Sequence, residues 1–336
     1  MVALPEYSKI NNNSGLKIIM NNKILSVENL TKKFSGKKFW FKTLEPEFVA
    51  VNNITFDMQE GEILGFLGPN GAGKTTTISM LLGVMSPTSG RIKYFDKDLS
   101  KDRSNIMQHV SFASTYVRLP GRLTIYENLD VYARLYSMKR SDRIERIEKY
   151  LKFFDLWSIK NRDTGTLSAG QTTRVMVVKA FLSNPKVVLL DEPTASLDPD
   201  VAHMVREFIK TQREQNGTSI LLTSHNMDEV TESCDRVLVL KKGSIIANNT
   251  PEQLALSVTD SRIQLMITEN FELAQNLCKS KNLKYIVEDK FLKVELEEKS
   301  IANFLSELAK LNVNYIEISI EKPTLEDYFL HIAKSE

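Results

Sequence analysis

The sequence predicts an α/β protein built on a parallel sheet, followed by a small α+β domain. Two short apolar runs, Val187–Leu190 and Ile220–Thr223, each lead into a polar loop, as buried strands of a parallel sheet do. A mostly helical stretch from Leu123 to about Leu182 precedes both runs. After about Pro251 the pattern becomes strand, helix, two strands, helix and strand, which is the ferredoxin-like order.

The composition is that of an ordinary globular protein. Of 336 residues, 42% are hydrophobic and 26% charged, and the 44 basic and 42 acidic residues leave a net charge of +2. Charge so close to balance gives no general attraction to nucleic acid or anionic lipid. We also find no nucleic-acid-binding motif in the sequence. We therefore expect no nucleic-acid partner.

The sequence predicts neither a membrane span nor a signal peptide. No apolar segment approaches the roughly 20 residues that span a bilayer. The N-terminus, MVALPEYSKINNNSG, has none of the apolar core of a signal peptide. Cys234 and Cys278 lie far apart, in no metal-binding or redox spacing. These features predict a cytoplasmic protein.

The first elements follow an aperiodic segment. Residues 1–23 are rich in Asn and Lys, and we predict a loose arm. Strands are predicted at Ile24–Val27 and at Phe48–Phe56, where apolar and polar residues alternate, and at Glu62–Leu67, a short apolar run. Residues 36–47, GKKFWFKTLEPE, form a basic and aromatic connector. Its aromatic side chains either cover the edge of the sheet or contact lipid headgroups or a membrane partner.

The later elements define the domains. Apolar positions three and four residues apart predict an amphipathic helix at Asp142–Leu156. The C-terminal elements are predicted at Arg262–Ile267 (strand), Asn270–Lys281 (helix), Lys284–Glu288 and Phe291–Leu296 (hairpin), Glu298–Leu311 (helix) and Tyr315–Ile320 (strand). The predicted domains are residues 24–254, with a helical subdomain at about 115–182, and residues 255–336.

A glycine-rich segment predicts a phosphate-binding loop. The strand ending at Leu67 runs into GPNGAGKTTT and then the apolar helix ISMLLGVM. Glycines let backbone N–H groups turn towards phosphate, and the helix N-terminus adds its positive dipole end. Lys74 can reach the β and γ phosphates, and the Thr75 hydroxyl can ligate Mg²⁺. The predicted nucleotide-binding residues are Gly68, Pro69, Asn70, Gly71, Ala72, Gly73, Lys74, Thr75 and Thr76.

Acidic residues follow a later strand, in VVLLDEPTASLDP. Asp191 ends the apolar run, where an acidic group can hold Mg²⁺, and Glu192 comes next, beside the expected γ-phosphate. A carboxylate in that position can polarise the attacking water as a general base, a contribution of about 10²–10⁴ in rate. His225 ends another strand, in ILLTSH. The sequence therefore predicts a hydrolytic site beside the phosphate loop.

One further motif indicates a particular protein family. Thr166–Gln171, TLSAGQ, opens an apolar helix, and Ser168 and the N–H groups around Gly170 form a second anion site at a helix N-terminus. With GPNGAGKTT, LSAGQ, LLDEPTASLD and SH in this order, the chain resembles the ATP-binding subunit of ABC transporters from about Ile24 to Thr250. The resemblance implies a P-loop NTPase core of the ABC ATPase type with a helical subdomain.

The resemblance implies an ATPase that uses ATP and Mg²⁺. Lys74, Glu192 and His225 would be its catalytic residues, with Glu192 as the catalytic carboxylate and His225 as the γ-phosphate switch. Thr75 and Asp191 would hold the metal. The expected reaction is hydrolysis of ATP coupled to transmembrane transport.

The resemblance also implies a homodimer. Each ATP would lie between the phosphate loop of one copy and Ser168, Gly170 and Gln171 of the other, because one ATP cannot occupy both sites of a single chain if they lie on opposite edges of one face. Asp198 fits the loop that communicates across the dimer, and Phe34 fits the aromatic residue that stacks on adenine. The expected location is the inner face of the cell membrane, beside a separate permease chain. PTLEDYFLHIA, at Pro323–Ala333, resembles the C-terminal signature of ATPases paired with ABC-2-type exporter permeases.

The sequence departs from the family at one functional position. The family has a Gln near the start of the helical subdomain, but Ser114 or Thr115 occupies that register here, and Gln108 lies too early to replace it. Ala169 and Ser196 replace commoner glycines, which are mild changes. The open alternative is a soluble ABC-type ATP switch that is not coupled to a permease.

Overall fold

The structure, a computed structural model, describes residues 22–35, 38–39, 42–43, 47–114, 117–195, 197–257 and 261–334. Most of the predicted N-terminal arm therefore lies outside the described residues. So do Thr115 and Ser196, and so do the aromatic side chains of the connector.

The secondary structure follows the predicted order. The strands are β1 (Lys23–Phe34), β2 (Lys38–Phe39), β3 (Lys42–Thr43), β4 (Phe48–Gln59), β5 (Ile63–Leu67), β6 (Ser89–Tyr94), β7 (Lys97–Asp98), β8 (Val110–Ser114), β9 (Val187–Asp191), β10 (Ser219–Thr223), β11 (Arg236–Lys241), β12 (Ser244–Asn249), β13 (Ser261–Glu269), β14 (Tyr285–Glu288), β15 (Phe291–Leu296) and β16 (Asn314–Glu321). The helices are α1 (Lys74–Leu81), α2 (Arg103–Met107), α3 (Ile125–Leu135), α4 (Arg140–Phe153), α5 (Ala169–Phe181), α6 (Pro199–Asn216), α7 (Met227–Ser233), α8 (Pro251–Leu256), α9 (Phe271–Ser280), α10 (Ile301–Lys310) and α11 (Leu325–Lys334).

The predicted parallel sheet is confirmed. Six strands lie in the order β12-β11-β5-β10-β9-β8, and all neighbours are parallel except β11 and β12. Both faces of this sheet are buried, and successive side chains along each strand point to opposite faces. Val188 and Leu190 point into one apolar core with the helices of the helical subdomain, and Val187 and Leu189 point into a second core with α1 and β1. Parallel strands bring their carboxyl ends to one edge, and the candidate site lies there.

A second sheet covers the other core. Strands β4, β1, β6 and β7 pair antiparallel in that order. The pairing of β1 with β4 contains several register shifts, and it brings Phe34 opposite Phe48. Two aromatic residues from separate strands thus lie near the phosphate loop.

The helix after the phosphate loop begins and ends earlier than predicted. The apolar pattern predicts a helix at 78–85, whereas α1 spans Lys74–Leu81. Gly83 has a left-handed φ of 63°, a conformation that favours glycine and commonly ends helices. The helix therefore starts inside the loop, with its N-terminal N–H groups directed at the predicted phosphate site.

The helical subdomain agrees with its prediction. Helices α3, α4 and α5 contact one another and contribute to the first core. Thr124 and Ser168 each begin a helix with a reciprocal capping box, to Glu127 and Gln171 respectively. Such caps are worth about 1 kcal/mol each and fix where the helix starts.

The ferredoxin-like order of the C-terminal region is also confirmed. Strands β14, β15, β13 and β16 form an antiparallel sheet in that order, with α9 and α10 supplying its apolar core. Helix α9 connects β13 to β14, and α10 connects β15 to β16. In the sheet, one other strand lies between the two strands of each connected pair, which is the split βαβ arrangement.

The last helix belongs to the first core. Although α11 follows the C-terminal sheet in sequence, its Leu325 and Tyr328 are buried with Val230 of α7 and Leu254 of α8. The Lys241 amine, at the end of β11, also donates a 3.0 Å hydrogen bond to the carbonyl of Ile332. Helix α11 therefore ties the C-terminal region to the core beneath the candidate site.

Leu325→Ala should lower the free energy of unfolding by about 2–5 kcal/mol, the usual cost of truncating a buried leucine. Leu325 is 2% exposed, whereas Leu330 on the same helix is 53% exposed. Leu330→Ala is the matched control and should change stability by less than about 0.5 kcal/mol. Urea unfolding measures both, and equal effects of the two substitutions would contradict the packing of α11.

Candidate functional site

The phosphate loop surrounds a cavity of about 200 Å³ at the edge of the parallel sheet. The sequence-predicted residues that line it are Asn70, Gly71, Ala72, Gly73, Lys74, Thr75, Thr76, Asp191, Glu192 and His225. Residues from three separate motifs thus meet around one space.

Two glycines of the loop have no room for a side chain. At Gly68, an added Cβ would lie 2.3 Å from the carbonyl oxygen of Leu240, and at Gly73 it would lie 2.5 Å from that of Ala50. Both have a positive φ, 154° and 102°. Glycine is therefore required for the close backbone packing that shapes this loop.

Lys74 begins α1 and is buried. Its amine donates hydrogen bonds to the carbonyl oxygens of Gly68 and Pro69, which lie at the start of the loop. Burial lowers the pKa of this amine, and the carboxylates of Glu192 and Asp191 oppose that shift. The cation is thus held at the base of the cavity, where an anionic ligand would be attracted.

Asp191 ends β9 between two other strand ends. The parallel register aligns it with Ser114 of β8 and Thr223 of β10. The Thr223 hydroxyl donates to Asp191 Oδ1 at 2.7 Å, and the Ser114 hydroxyl donates to Oδ2 at 3.3 Å. Two hydroxyl groups therefore fix the orientation of a buried carboxylate at the cavity.

Glu192 has a backbone conformation that turns it out of the strand. Its φ is 56°, and its N–H donates to the Thr223 hydroxyl and carbonyl at 3.1 Å. The side chain is buried, and its Oε1 lies 3.0 Å from Nε2 of His225, whose side chain is largely exposed. Burial raises the pKa of Glu192 and Asp191 adds to the shift, whereas His225 and Lys74 oppose it. A carboxyl group with a raised pKa is a better proton acceptor than an ordinary one.

The family's glutamine position remains without a glutamine. Gln108 follows α2 and precedes β8, so it lies at the opposite end of that strand from the site. Ser114, at the carboxyl end of β8, is the described residue of this segment that contacts Asp191. Thr115, the other candidate for the position, lies outside the described residues.

Phe48 is a site residue that carried no sequence motif. It lines the cavity and is 59% exposed, whereas Phe34, its partner across β1 and β4, is 39% exposed and does not line the cavity. Ala50 and Thr223 are the other site residues absent from the predicted set. Thr223 could have been found from the sequence, because it is the last residue of an apolar strand that leads into a polar loop. No local pattern indicates Phe48.

The second anion site lies apart from this cavity. The Ser168 hydroxyl accepts a hydrogen bond from the Gln171 N–H, and the Gln171 side chain accepts one from the Ser168 N–H. None of Ser168, Gly170 and Gln171 lines the cavity at Lys74. Gly170 instead lies near Leu197, whose neighbour Asp198 directly precedes α6. The structure therefore separates the two predicted anion sites within one chain.

The residues that face the cavity suit Mg²⁺. Hard divalent cations prefer oxygen ligands, and Mg²⁺ usually takes one or two protein oxygens together with phosphate and water. Thr75 is exposed, and both Thr75 and Asp191 line the cavity. Within the described part of the chain, no group of three or more His, Cys, Asp or Glu could hold a metal without such help. The donor set thus fits a cation that is bound jointly with a phosphate ligand.

Phe48→Ala should weaken ATP binding about 5- to 150-fold, because stacking of a base on an aromatic side chain contributes roughly 1–3 kcal/mol. Phe34→Ala should have a smaller effect, since Phe34 does not line the cavity. Calorimetric titration with ATP compares the two variants. A larger loss from Phe34→Ala would return the stacking role to the residue that the family resemblance indicates.

The comparisons with known proteins agree with this geometry. Residues 51–195 match the sequence profile of the family described as ABC transporter. Residues 164–231 also match a profile described as AAA domain, putative AbiEii toxin, Type IV TA system. Among the residues that the structure describes, none of the helices combines the length and the apolar composition of a membrane span.

Several individual proteins are similar to the chain. The linearmycin resistance ATP-binding protein of Bacillus subtilis is 29% identical over 317 residues, which cover 92% of this chain and 98% of that protein. The Nod factor export ATP-binding protein I of Burkholderia lata is 35% identical over 217 residues, covering 64% and 71%. A solved structure of an ATP-binding subunit of an ABC transporter has a TM-score of 0.61 at 26% identity, covering 69% of this chain and 92% of that one.

Proposed function

Because the chain belongs to the ABC transporter family and is one of its ATP-hydrolysing, ATP-binding chains, we propose that it powers an exporter as a dimer bound to a separate permease. The observation that carries this proposal is the meeting of Lys74, Asp191, Glu192 and His225 around one cavity.

The phosphate loop binds the triphosphate of ATP. Its backbone N–H groups and the N-terminus of α1 face the phosphates, and the Lys74 amine exchanges the loop carbonyls for the β and γ phosphates. Phe48, and Phe34 beside it, provide the aromatic surface for adenine. Thr75 and Asp191 would hold Mg²⁺, which would supply positive charge to offset that of the phosphates.

Glu192 and His225 carry out the hydrolytic step. The Glu192 carboxylate accepts a proton from water as the water oxygen bonds to the γ phosphorus, and the bond from that phosphorus to the ADP oxygen breaks. His225 and Lys74 stabilise the charge that develops on the γ-phosphate oxygens. The 3.0 Å contact between His225 and Glu192 keeps the two groups on the same side of the cavity.

Two copies are needed to complete the ATP site. The Lys74 cavity is open, and the anion site at Ser168, Gly170 and Gln171 lies elsewhere on the same chain. A second copy packed head to tail brings its Ser168 helix to the γ-phosphate, with Asp198 at the contact between copies. ATP then closes the dimer and hydrolysis opens it.

Export is supported by the names of the relatives. The Nod factor relative is an export ATP-binding protein, and the Bacillus relative is an ATP-binding protein of linearmycin resistance. We therefore propose a separate permease and a location on the inner face of the cell membrane.

The test is recovery of the partner from native membranes. Tagged Glu192→Gln protein with Mg-ATP should stall as a closed dimer and retain a multi-span membrane protein. The matched bait carries both Glu192→Gln and Lys74→Ala and should lose the ATP-dependent part of the recovery. Recovery of soluble partners alone, with the closed dimer confirmed, would overturn the transporter proposal in favour of a soluble switch.

A further inference from the structure

A buried carboxylate joins the two loops that carry Glu192 and His225. Glu229 lies on α7 and is 1% exposed. Its Oε2 accepts a hydrogen bond from the Thr194 hydroxyl at 2.7 Å and another from the Ser224 hydroxyl at 2.5 Å. Thr194 follows Glu192 by two residues, and Ser224 directly precedes His225. We call Thr194, Ser224 and Glu229 the Glu229 bridge.

The Glu229 bridge is connected to the cap at the start of α7. The Asn226 side chain caps α7 by accepting from the N–H groups of Asp228 and Glu229, at 3.0 and 3.1 Å. The Asn226 N–H in turn donates to the Ser224 hydroxyl at 3.1 Å, so this hydroxyl both donates and accepts. Glu229 therefore lies on a capped helix, at a fixed distance from the loop that carries His225.

Packing alone does not account for a buried carboxylate at position 229. Burying a charged group costs free energy unless hydrogen bonds compensate, and Oε1 of Glu229 accepts none from the described residues. The two hydroxyl contacts on Oε2 are its compensation, and both join separate segments rather than its own helix. Glu229 also lines a cleft of about 650 Å³ that Glu192 and His225 share.

We propose that Glu229 is a positioning residue for ATP hydrolysis, which holds the loop after Glu192 and the loop before His225 in register. This inference rests on the proposed role of Glu192. Because the bridge acts on both loops, it sets the position of the Glu192 carboxylate relative to His225 and to the attacking water. A displacement of about 1 Å in a catalytic group can cost about 10² in rate, so a small loosening has a large effect.

The first test separates turnover from binding. Glu229→Ala should lower kcat about 10- to 100-fold, with KM and ATP affinity changed less than about threefold, because the phosphate loop is untouched. Glu229→Gln should recover most of the activity, since its amide oxygen can accept both hydroxyl hydrogen bonds. Wild-type kcat in Glu229→Ala, or a loss of ATP affinity as large as the loss of kcat, would overturn the proposal.

A double-mutant cycle tests the bridge itself and needs only mild substitutions. Thr194→Val should lower kcat in the wild-type background and have almost no further effect in Glu229→Ala, because the same contact is already lost. Thr231→Val is the matched control, since Thr231 lies on α7 with Glu229 and its hydroxyl donates to the carbonyl of Met227 in that helix at 2.8 Å. Additive effects of Thr194→Val and Glu229→Ala would overturn the proposal.

Hydrogen exchange distinguishes failure of the bridge from failure of the proposed chemistry. In Glu229→Ala, amide exchange should accelerate both at 192–195 and at 223–226, and in Glu229→Gln it should stay near wild type. This readout does not depend on the role of Glu192. Faster exchange confined to α7 would overturn the bridge, whereas normal turnover of Glu192→Gln would overturn only the assignment of the base.

Discussion

Glu192→Gln is expected to lower kcat for ATP hydrolysis by about 10²–10⁴, because the substitution removes the general base and keeps the shape of the side chain. ATP should still bind, since the phosphate loop and Lys74 are unchanged. Single-turnover hydrolysis and equilibrium ATP binding measure the two effects separately.

The matched control for this substitution is Glu207→Gln, on the exposed face of α6. It should hydrolyse ATP at the wild-type rate. Near-normal turnover in Glu192→Gln would show that another group accepts the proton, and the proposed chemistry would be wrong.

Lys74→Ala is expected to abolish measurable hydrolysis and to weaken ATP binding about 10- to 150-fold. Hydrogen bonds between charged groups contribute about 1.5–3 kcal/mol, and Lys74 supplies the cation at the base of the cavity. The loop glycines remain, so the fold of the loop should persist. Lys210→Ala on α6, an exposed lysine, should leave both quantities unchanged. Normal turnover in Lys74→Ala would exclude this cavity as the ATP site.

The phosphate loop was predictable because each of its structural requirements selects one residue type, glycine, at a fixed spacing. Gly68 and Gly73 must approach the carbonyls of Leu240 and Ala50, and no larger residue fits. Each requirement leaves a glycine at a fixed spacing in the sequence. The strand before the loop and the helix after it were likewise visible as apolar runs, although Gly83 ends the helix earlier than the apolar pattern suggests.

Contacts between distant segments were not predictable in the same way. Phe48 lines the cavity from the start of β4, where it pairs with Phe34, and no local pattern encodes this placement. Glu229 accepts a hydrogen bond from Thr194, 35 positions earlier in the sequence. In the sequence it is an ordinary glutamate of a short helix, so no local pattern shows this contact. Helix α11 returns to the first core after a complete separate sheet, so its own apolar residues could not show which core it joins.

The most direct test of the account is the association state of Glu192→Gln protein with Mg-ATP, measured by sedimentation velocity. We expect a dimer with ATP, a monomer without it, and a monomer with ATP when Lys74→Ala is added. That pattern would support an ATP site that two copies complete, with the Ser168 helix of one copy meeting the phosphate loop of the other. A monomer at saturating ATP, with ATP binding confirmed, would contradict it.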